Sequence, residues 1–215
     1  MSDLSDGSTA CLVPDYWAAA KQALAQCDPV LDAIIHAHPD VALRSRGDPF
    51  NTLMRSIVGQ QISLKAADSV WARVCLATAP MPEQVVSLGR ERLAACGLSQ
   101  RKAEYILDLA QHFVDGALHV EGWPDMDDET VIAELMQVRG IGRWTAEMFL
   151  MFNLLRPDVL PVDDLGLQRA VSLLYFGGEF AGVEPVRHVA RDWAPWRSVA
   201  TWYLWRSLDP VPVEY

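Results

Sequence analysis

Apolar residues along this chain recur at intervals of three and four positions rather than alternating. Ala18–Ala25, Leu31–Ile35, Leu53–Ile62, Ala66–Leu76, Ile106–Phe113, Val131–Met136, Ala146–Leu154, Leu167–Leu174 and Val199–Leu208 each carry the i, i+3, i+4 spacing that lines one face of a helix. The pattern predicts about ten helices and little or no sheet. Breaks fall where proline, glycine and aspartate cluster, at Asp28-Pro29, His38-Pro39-Asp40, Gly47-Asp48-Pro49, Ala79-Pro80-Met81-Pro82, Gly116, Gly122-Trp123-Pro124 and Gly177-Gly178. These gaps are short, so consecutive helices are expected to pack as hairpins. There are no internal repeats or low-complexity tracts.

Composition narrows the class. At 215 residues and 51% hydrophobic content, the chain can bury one sizeable core or two small lobes that share a cleft. Residues 1–14 are rich in Ser, Asp and Gly and read as a loosely docked leader, with the globular unit spanning 15–215. No run approaches the eighteen or so uninterrupted apolar residues of a membrane span, and the start lacks the basic region of a signal peptide. The expected setting is the cytoplasm. Cys11, Cys27, Cys75 and Cys96 are far apart and form no CxxC pair, so they read as reduced, mostly buried small residues. The five histidines have no metal-ligand spacing with acidic or cysteine partners. The net charge of −10 argues against bulk electrostatic attraction to nucleic acid, because Lys and Arg on phosphates drive non-specific affinity. Any contact with DNA must therefore be local, through backbone amides and a few placed cations.

The most specific stretch is Leu135-Met-Gln-Val-Arg-Gly-Ile-Gly-Arg-Trp-Thr-Ala-Glu-Met-Phe149. A helix from about Asp128 to Gln137 leads into Val138-Arg139-Gly140-Ile141-Gly142, and a second helix starts near Arg143. Two glycines around one aliphatic residue let the backbone turn tightly and approach a ligand closely, while Ile141 plugs the turn into the core. Amides at the start of the second helix can then meet a phosphate oxygen with help from the helix dipole. On its own, the turn is equally an ordinary corner between two helices.

About twenty residues downstream lies Leu160-Pro-Val-Asp-Asp-Leu-Gly-Leu-Gln-Arg-Ala170, with Asp163 and Asp164 at the expected N-terminus of the next helix. By itself, an aspartate at this position caps the helix. Taken together, the hairpin and this loop resemble the helix-hairpin-helix glycosylase superfamily, in which the hairpin is followed at this distance by an essential aspartate. Asp164 matches that position. The Gly-Ile-Gly-Arg-Trp-Thr-Ala segment is similar to the 3-methyladenine DNA glycosylase II branch, as are Phe50-Asn-Thr-Leu-Met-Arg-Ser-Ile-Val-Gly-Gln-Gln-Ile-Ser63 and Trp193-Ala-Pro-Trp-Arg-Ser198. The chain is too short, and too poor in strand patterns, for the extra N-terminal β-rich lobe of the larger bacterial members, so it resembles compact ones.

The resemblance implies an all-α fold with two helical lobes flanking a DNA-binding cleft, roughly 48–125 as one lobe and 15–47 with 126–215 as the other. It implies a cofactor-independent monomer that acts on double-stranded DNA with alkylated bases, flips the base out of the stack and hydrolyses the N-glycosidic bond during base excision repair. Asp164 would stabilise the oxocarbenium-like sugar or activate water. Trp144 and Trp205 would line the base pocket, together with Met148 and Leu165, which stand where the large bacterial relatives carry tyrosines. Trp193, Trp196 and Trp202 read as core. Arg139, Gly140, Ile141, Gly142, Arg143 and Thr145 would meet the DNA backbone, with Arg101 and Lys102 as further contacts; surface ion pairing is the competing use of those cations. Gln60 or Gln61 would fill the gap left by the flipped nucleotide. Carbonyls of Met136, Val138 and Ile141 could hold a monovalent or calcium ion that serves binding rather than chemistry.

In strand-cleaving relatives a lysine follows the hairpin's Gly-x-Gly-Arg to form a Schiff base, and here that position is Trp144, which implies base removal without lyase activity. The C-terminal cysteine cluster of those relatives is also missing. Two rivals are a non-catalytic DNA-binding module, which would need neither Asp164 nor an aromatic pocket, and a glycosylase for oxidised or deaminated bases.

Overall fold

A computed structural model describes residues 13–45 and 47–208, so residues 1–12 of the expected leader lie outside the described residues. Among those described there are twelve α-helices, one 3-10 helix and no strand. The helices are α1 (Trp17–Cys27), α2 (Pro29–Ala37), α3 (Pro49–Gly59), α4 (Leu64–Ala77), α5 (Pro82–Leu88), α6 (Arg90–Ala95), α7 (Gln100–Val114), α8 (Asp128–Leu135), α9 (Arg143–Phe152), α10 (Leu165–Tyr175), α11 (Val183–Val189) and α12 (Arg197–Leu208). The 3-10 helix, Val120–Asp125, precedes α8. None of these helices is long and apolar enough to cross a membrane.

Small polar caps set many of the starts. Asp28, Asp48, Ser63, Ser99, Asp127 and Asp164 each accept backbone N–H groups from two or three residues ahead. Pro29, Pro49 and Pro82 occupy first-turn positions, where a missing N–H costs nothing. The helix predicted to reach Ile62 ends at Gly59, because Gln60 leaves the helical region at ψ 128° and Gln61 then turns left-handed at φ 59°. The helix predicted to reach Gln137 ends at Leu135. Helices α5, α6 and α11 are additions to the expected set, since six or seven residues hold too few turns to establish a period.

Packing falls into two neighbourhoods. Helices α3 to α7 pack on one another, with α7 against α3, α5 and α6. Helices α1, α2 and α10 surround α12, while α8 and α9 form the hairpin pair and α9 also touches α3. Every residue of α9 from Thr145 to Phe152 is buried, as expected for a helix that is apolar on nearly all sides. Fully burying each of its large apolar side chains contributes about 1.5–3 kcal/mol.

Two polar knots, one buried and one half-buried, hold the elements that carry the aspartate loop. Asp28 accepts the Val30 and Leu31 amides through Oδ1, and the Tyr175 hydroxyl (2.6 Å) and Trp193 Nε1 (2.9 Å) through Oδ2. This ties α2 to the end of α10. The Arg197 guanidinium grips both oxygens of Asp158 at 2.6 Å, and Ser198 Oγ accepts the Val159 amide at 2.9 Å. The Trp193–Ser198 motif thus pins the loop between α9 and α10 to the start of α12. The expectation of mostly buried cysteines fails for two of the three described: Cys96 is buried, but Cys27 and Cys75 are exposed on helical surfaces.

Candidate active site

The turn between α8 and α9 is built as its sequence suggests. Val138 and Ile141 are buried, and the Ile141 amide closes the turn on the Val138 carbonyl at 3.1 Å. Gly140 has φ +88°, and a Cβ there would fall 2.1 Å from Cδ2 of Tyr105. Only glycine permits both this backbone and this contact. Gly142 is the N-cap of α9 and brings no side chain to the first-turn amides; Gly142, Arg143 and Trp144 form an exposed strip, while Thr145 is buried beneath it.

Trp144, the second residue of α9, leads directly to the aspartate. Its Nε1 donates to Asp164 Oδ2 at 2.9 Å. From the opposite side, Trp205 on α12 donates from Nε1 to Asp164 Oδ1 at 2.8 Å. The Leu167 amide donates to the same Oδ1 at 2.6 Å, so Asp164 also caps α10. Capping and the proposed chemistry are therefore compatible uses of one half-buried carboxylate, whose two oxygens have lone pairs for all three donors.

The indoles are themselves supported. Phe152 stacks on Trp205 with ring centroids 6.1 Å apart and planes 12° from parallel. Met148, one turn along α9 from Trp144, is buried, whereas Leu165 is 74% exposed beside Asp164. Gly166 was not singled out from the sequence, yet a Cβ on it would lie 3.0 Å from Asp164 Oδ1 and 3.2 Å from Cδ1 and Nε1 of Trp205. Its only sequence signal is a glycine two residues after the cap, where glycine gains nothing for the helix.

Glu147 is a second residue that the sequence reading missed. It is buried on α9, bonded through Oε1 to Arg143 Nε at 3.1 Å. Burial, with Asp163 and Glu129 nearby, pushes its pKa up to about 6 against the opposing pull of Arg143.

Residues 54–195 match the profile of the HhH-GPD superfamily base excision DNA repair protein. The chain belongs to this helix-hairpin-helix superfamily. It is 40% identical to a DNA-3-methyladenine glycosidase from Bacillus halodurans, whose crystal structure superposes with a TM-score of 0.80 over 88% of each chain. The Schizosaccharomyces pombe 3-methyladenine DNA glycosylase Mag1, solved in complex with abasic DNA, is 29% identical with a TM-score of 0.77, over 88% of this chain and 96% of that one. A DNA-3-methyladenine glycosylase of Bacillus subtilis is 31% identical over 200 residues, which cover 86% of this chain and 65% of that protein. The chain thus spans about two thirds of that relative's length. The all-helical architecture is that of the helix-hairpin-helix glycosylases.

In this HhH-GPD chain the remaining predicted site residues divide by exposure and partner. Gln61 is exposed after the end of α3, whereas Gln60 donates from Nε2 to the Gly140 carbonyl at 3.0 Å and joins that turn to the hairpin. The cations are largely engaged within the protein. Arg143 is bonded to Glu129 and Glu147, Arg139 lies 3.6 Å from Glu104, and Arg101 donates to the Tyr105 hydroxyl at 2.6 Å. Lys102 bonds the carbonyls of Val58 and Gln60.

Proposed function

We propose that this chain is a monofunctional glycosylase that flips alkylated purines out of double-stranded DNA and hydrolyses their N-glycosidic bonds, acting as a monomer with Asp164 as its essential carboxylate. The observation that carries this reading is the position of Asp164, gripped by one indole from the helix that opens at the glycine hairpin and by another from α12. A backbone-binding turn and a negative side chain thereby share one short path of contacts.

The chemistry follows from the charge on the damaged base. An alkylated purine such as 3-methyladenine is cationic, so it is already a good leaving group. What the reaction requires is a negative group beside the anomeric carbon as positive charge grows on the sugar, or a base that activates water there. Asp164 can serve in either way. The electron-rich faces of Trp144 and Trp205 would favour a cationic base, by about 0.5–2 kcal/mol for each good geometry. Hairpin amides at Gly140, Ile141 and Gly142 would hold the neighbouring phosphate, with little demand for net positive charge. An ion on the carbonyls of Met136, Val138 and Ile141 would be held by main-chain oxygens and would support the same contact; the Val138 carbonyl, which already takes the Ile141 amide, retains a second lone pair for it.

Gln61 is the wedge in this reading, because Gln60 is committed to the hairpin. The DNA would lie across the cleft between 48–125 and the rest of the chain, a division supported by the separate packing of α3 to α7. Absence of lyase chemistry is supported by Trp144 at the position where lyases carry their lysine, and by the commitment of the Lys102 ammonium to two carbonyls.

The test is incubation with duplex DNA treated with dimethyl sulfate, followed by chromatography of the released bases. Methylated purines should be freed, the strand should stay intact until alkali or heat is applied, and borohydride should trap no covalent adduct. Absence of release would sink the enzymatic reading; a trapped adduct would sink the monofunctional one.

A further inference from the structure

A short strut of hydrogen bonds lies beside the hairpin and joins three elements. Lys102, in the first turn of α7, donates from Nζ to the Val58 and Gln60 carbonyls, both at 2.7 Å. These oxygens belong to the C-terminal end of α3, where carbonyls lack partners within the helix and the helix dipole is negative. A lysine there satisfies both demands at once. From the same turn, Gln60 Nε2 reaches the Gly140 carbonyl at 3.0 Å. The start of α7, the end of α3 and the glycine hairpin are therefore linked in series.

Gln61, the next residue along, is exposed and left-handed at φ 59°, a conformation that a non-glycine residue keeps only when its surroundings hold it. One of the two carbonyls that Lys102 clamps, that of Gln60, belongs to the residue directly before Gln61. Partial burial of Lys102 pulls its pKa below the ordinary lysine value.

We propose that Lys102 is a positioning residue for base flipping: its ammonium clamps the Val58–Gln60 turn so that Gln61 stands at a fixed offset from the glycine hairpin. This inference rests on Gln61 being the wedge, as read above. The physical requirement is registration. The hairpin grips the backbone at one point while the wedge must enter the stack at another, so a loose turn loses insertion even when every contact residue is present.

The experiment compares single-turnover excision from methylated duplex DNA, and from the same strand unpaired, for the wild type, Lys102→Met, Gln61→Ala and the double variant. Lys102→Met should slow duplex excision at least about tenfold and single-strand excision less than about threefold, since a lone strand leaves no gap for a wedge to fill. In the Gln61→Ala background, adding Lys102→Met should change duplex excision by less than about threefold, because the clamp acts through the residue already removed. Independent, multiplicative losses in the double variant overturn the proposal, and so does an equal loss on both substrates. If Gln61→Ala alone excises like the wild type, the wedge reading fails first; if only Lys102→Met does, the clamp alone fails. Should Lys102→Met not fold by circular dichroism, Gln60→Ala cuts the strut at its hairpin end and must show the same coupling to Gln61→Ala.

Discussion

Tight packing around the aspartate centres on a residue without a side chain. At Gly166 an added methyl would press on both Asp164 Oδ1 and the Trp205 indole, at 3.0 and 3.2 Å. Helix α10 itself does not ask for glycine, since alanine is the better helix former by about 1 kcal/mol. Gly166→Ala is therefore expected to melt close to the wild type, the helix gain offsetting the strained contact, while excising at least about tenfold more slowly, as Trp205 and Asp164 shift by a few tenths of an ångström. Paired melting and single-turnover measurements separate the two effects. Gly140 should behave oppositely: with φ +88° and the Tyr105 ring directly above it, Gly140→Ala must move backbone or ring. A loss of about 1–3 kcal/mol in denaturant unfolding is expected, together with weaker binding to an abasic duplex.

Among the elements, α9 carries a tension between core and site. Its first two residues, Arg143 and Trp144, are exposed, yet three residues after Trp144 it buries a carboxylate. The Glu147 pKa is raised in the folded state, from an ordinary 4.5 to about 6, chiefly by burial. A raised pKa means that the folded state prefers the protonated form. Its contribution to stability is then complete below about pH 4.5 and is lost as pH rises through 6, amounting to about 2 kcal/mol. Glu147→Gln keeps the neutral form at every pH, so it should gain stability over the wild type at pH 7 and lose that advantage towards pH 4.5. Melting curves across this range check the sign.

The same scale explains what was legible in the sequence. Helices α1, α4, α7, α9, α10 and α12 run for ten or more residues and announce themselves by period, and the Asp and Ser caps mark several starts. Helices α5, α6 and α11 are too short to repeat. Asp164, Trp144 and Trp205 are legible through motif likeness, and the fold brings them into hydrogen-bonding contact from three separate elements. The surroundings of Gly166, Glu147 and Lys102 were not readable, because they depend on tertiary packing: Gly166 meets Trp205, Glu147 is buried within the core, and Lys102 meets the end of α3. Arg143 shows the converse. A cation beside a glycine hairpin reads from the sequence as a DNA contact, but in the fold Glu129 and Glu147 pair with it.

For the whole molecule, the net charge of −10 restricts how DNA can be held. If amides at the hairpin and a few cations do the work, few counterions are released on binding. The log–log dependence of abasic-duplex affinity on KCl should then have a slope no steeper than about −4, since each neutralised phosphate contributes about −0.9. Fluorescence anisotropy between about 50 and 200 mM salt measures it. A much steeper slope would require many more phosphate-neutralising cations than the hairpin reading uses. Beyond affinity, the whole arrangement has one purpose in this account, which is to bring a carboxylate to the sugar of a flipped nucleotide. The most direct measurement is single-turnover release of methylated purines by Asp164→Asn, with circular dichroism confirming that the variant is folded. A fall of at least about a hundredfold is predicted; a folded variant that releases purines within about threefold of the wild-type rate would contradict the account.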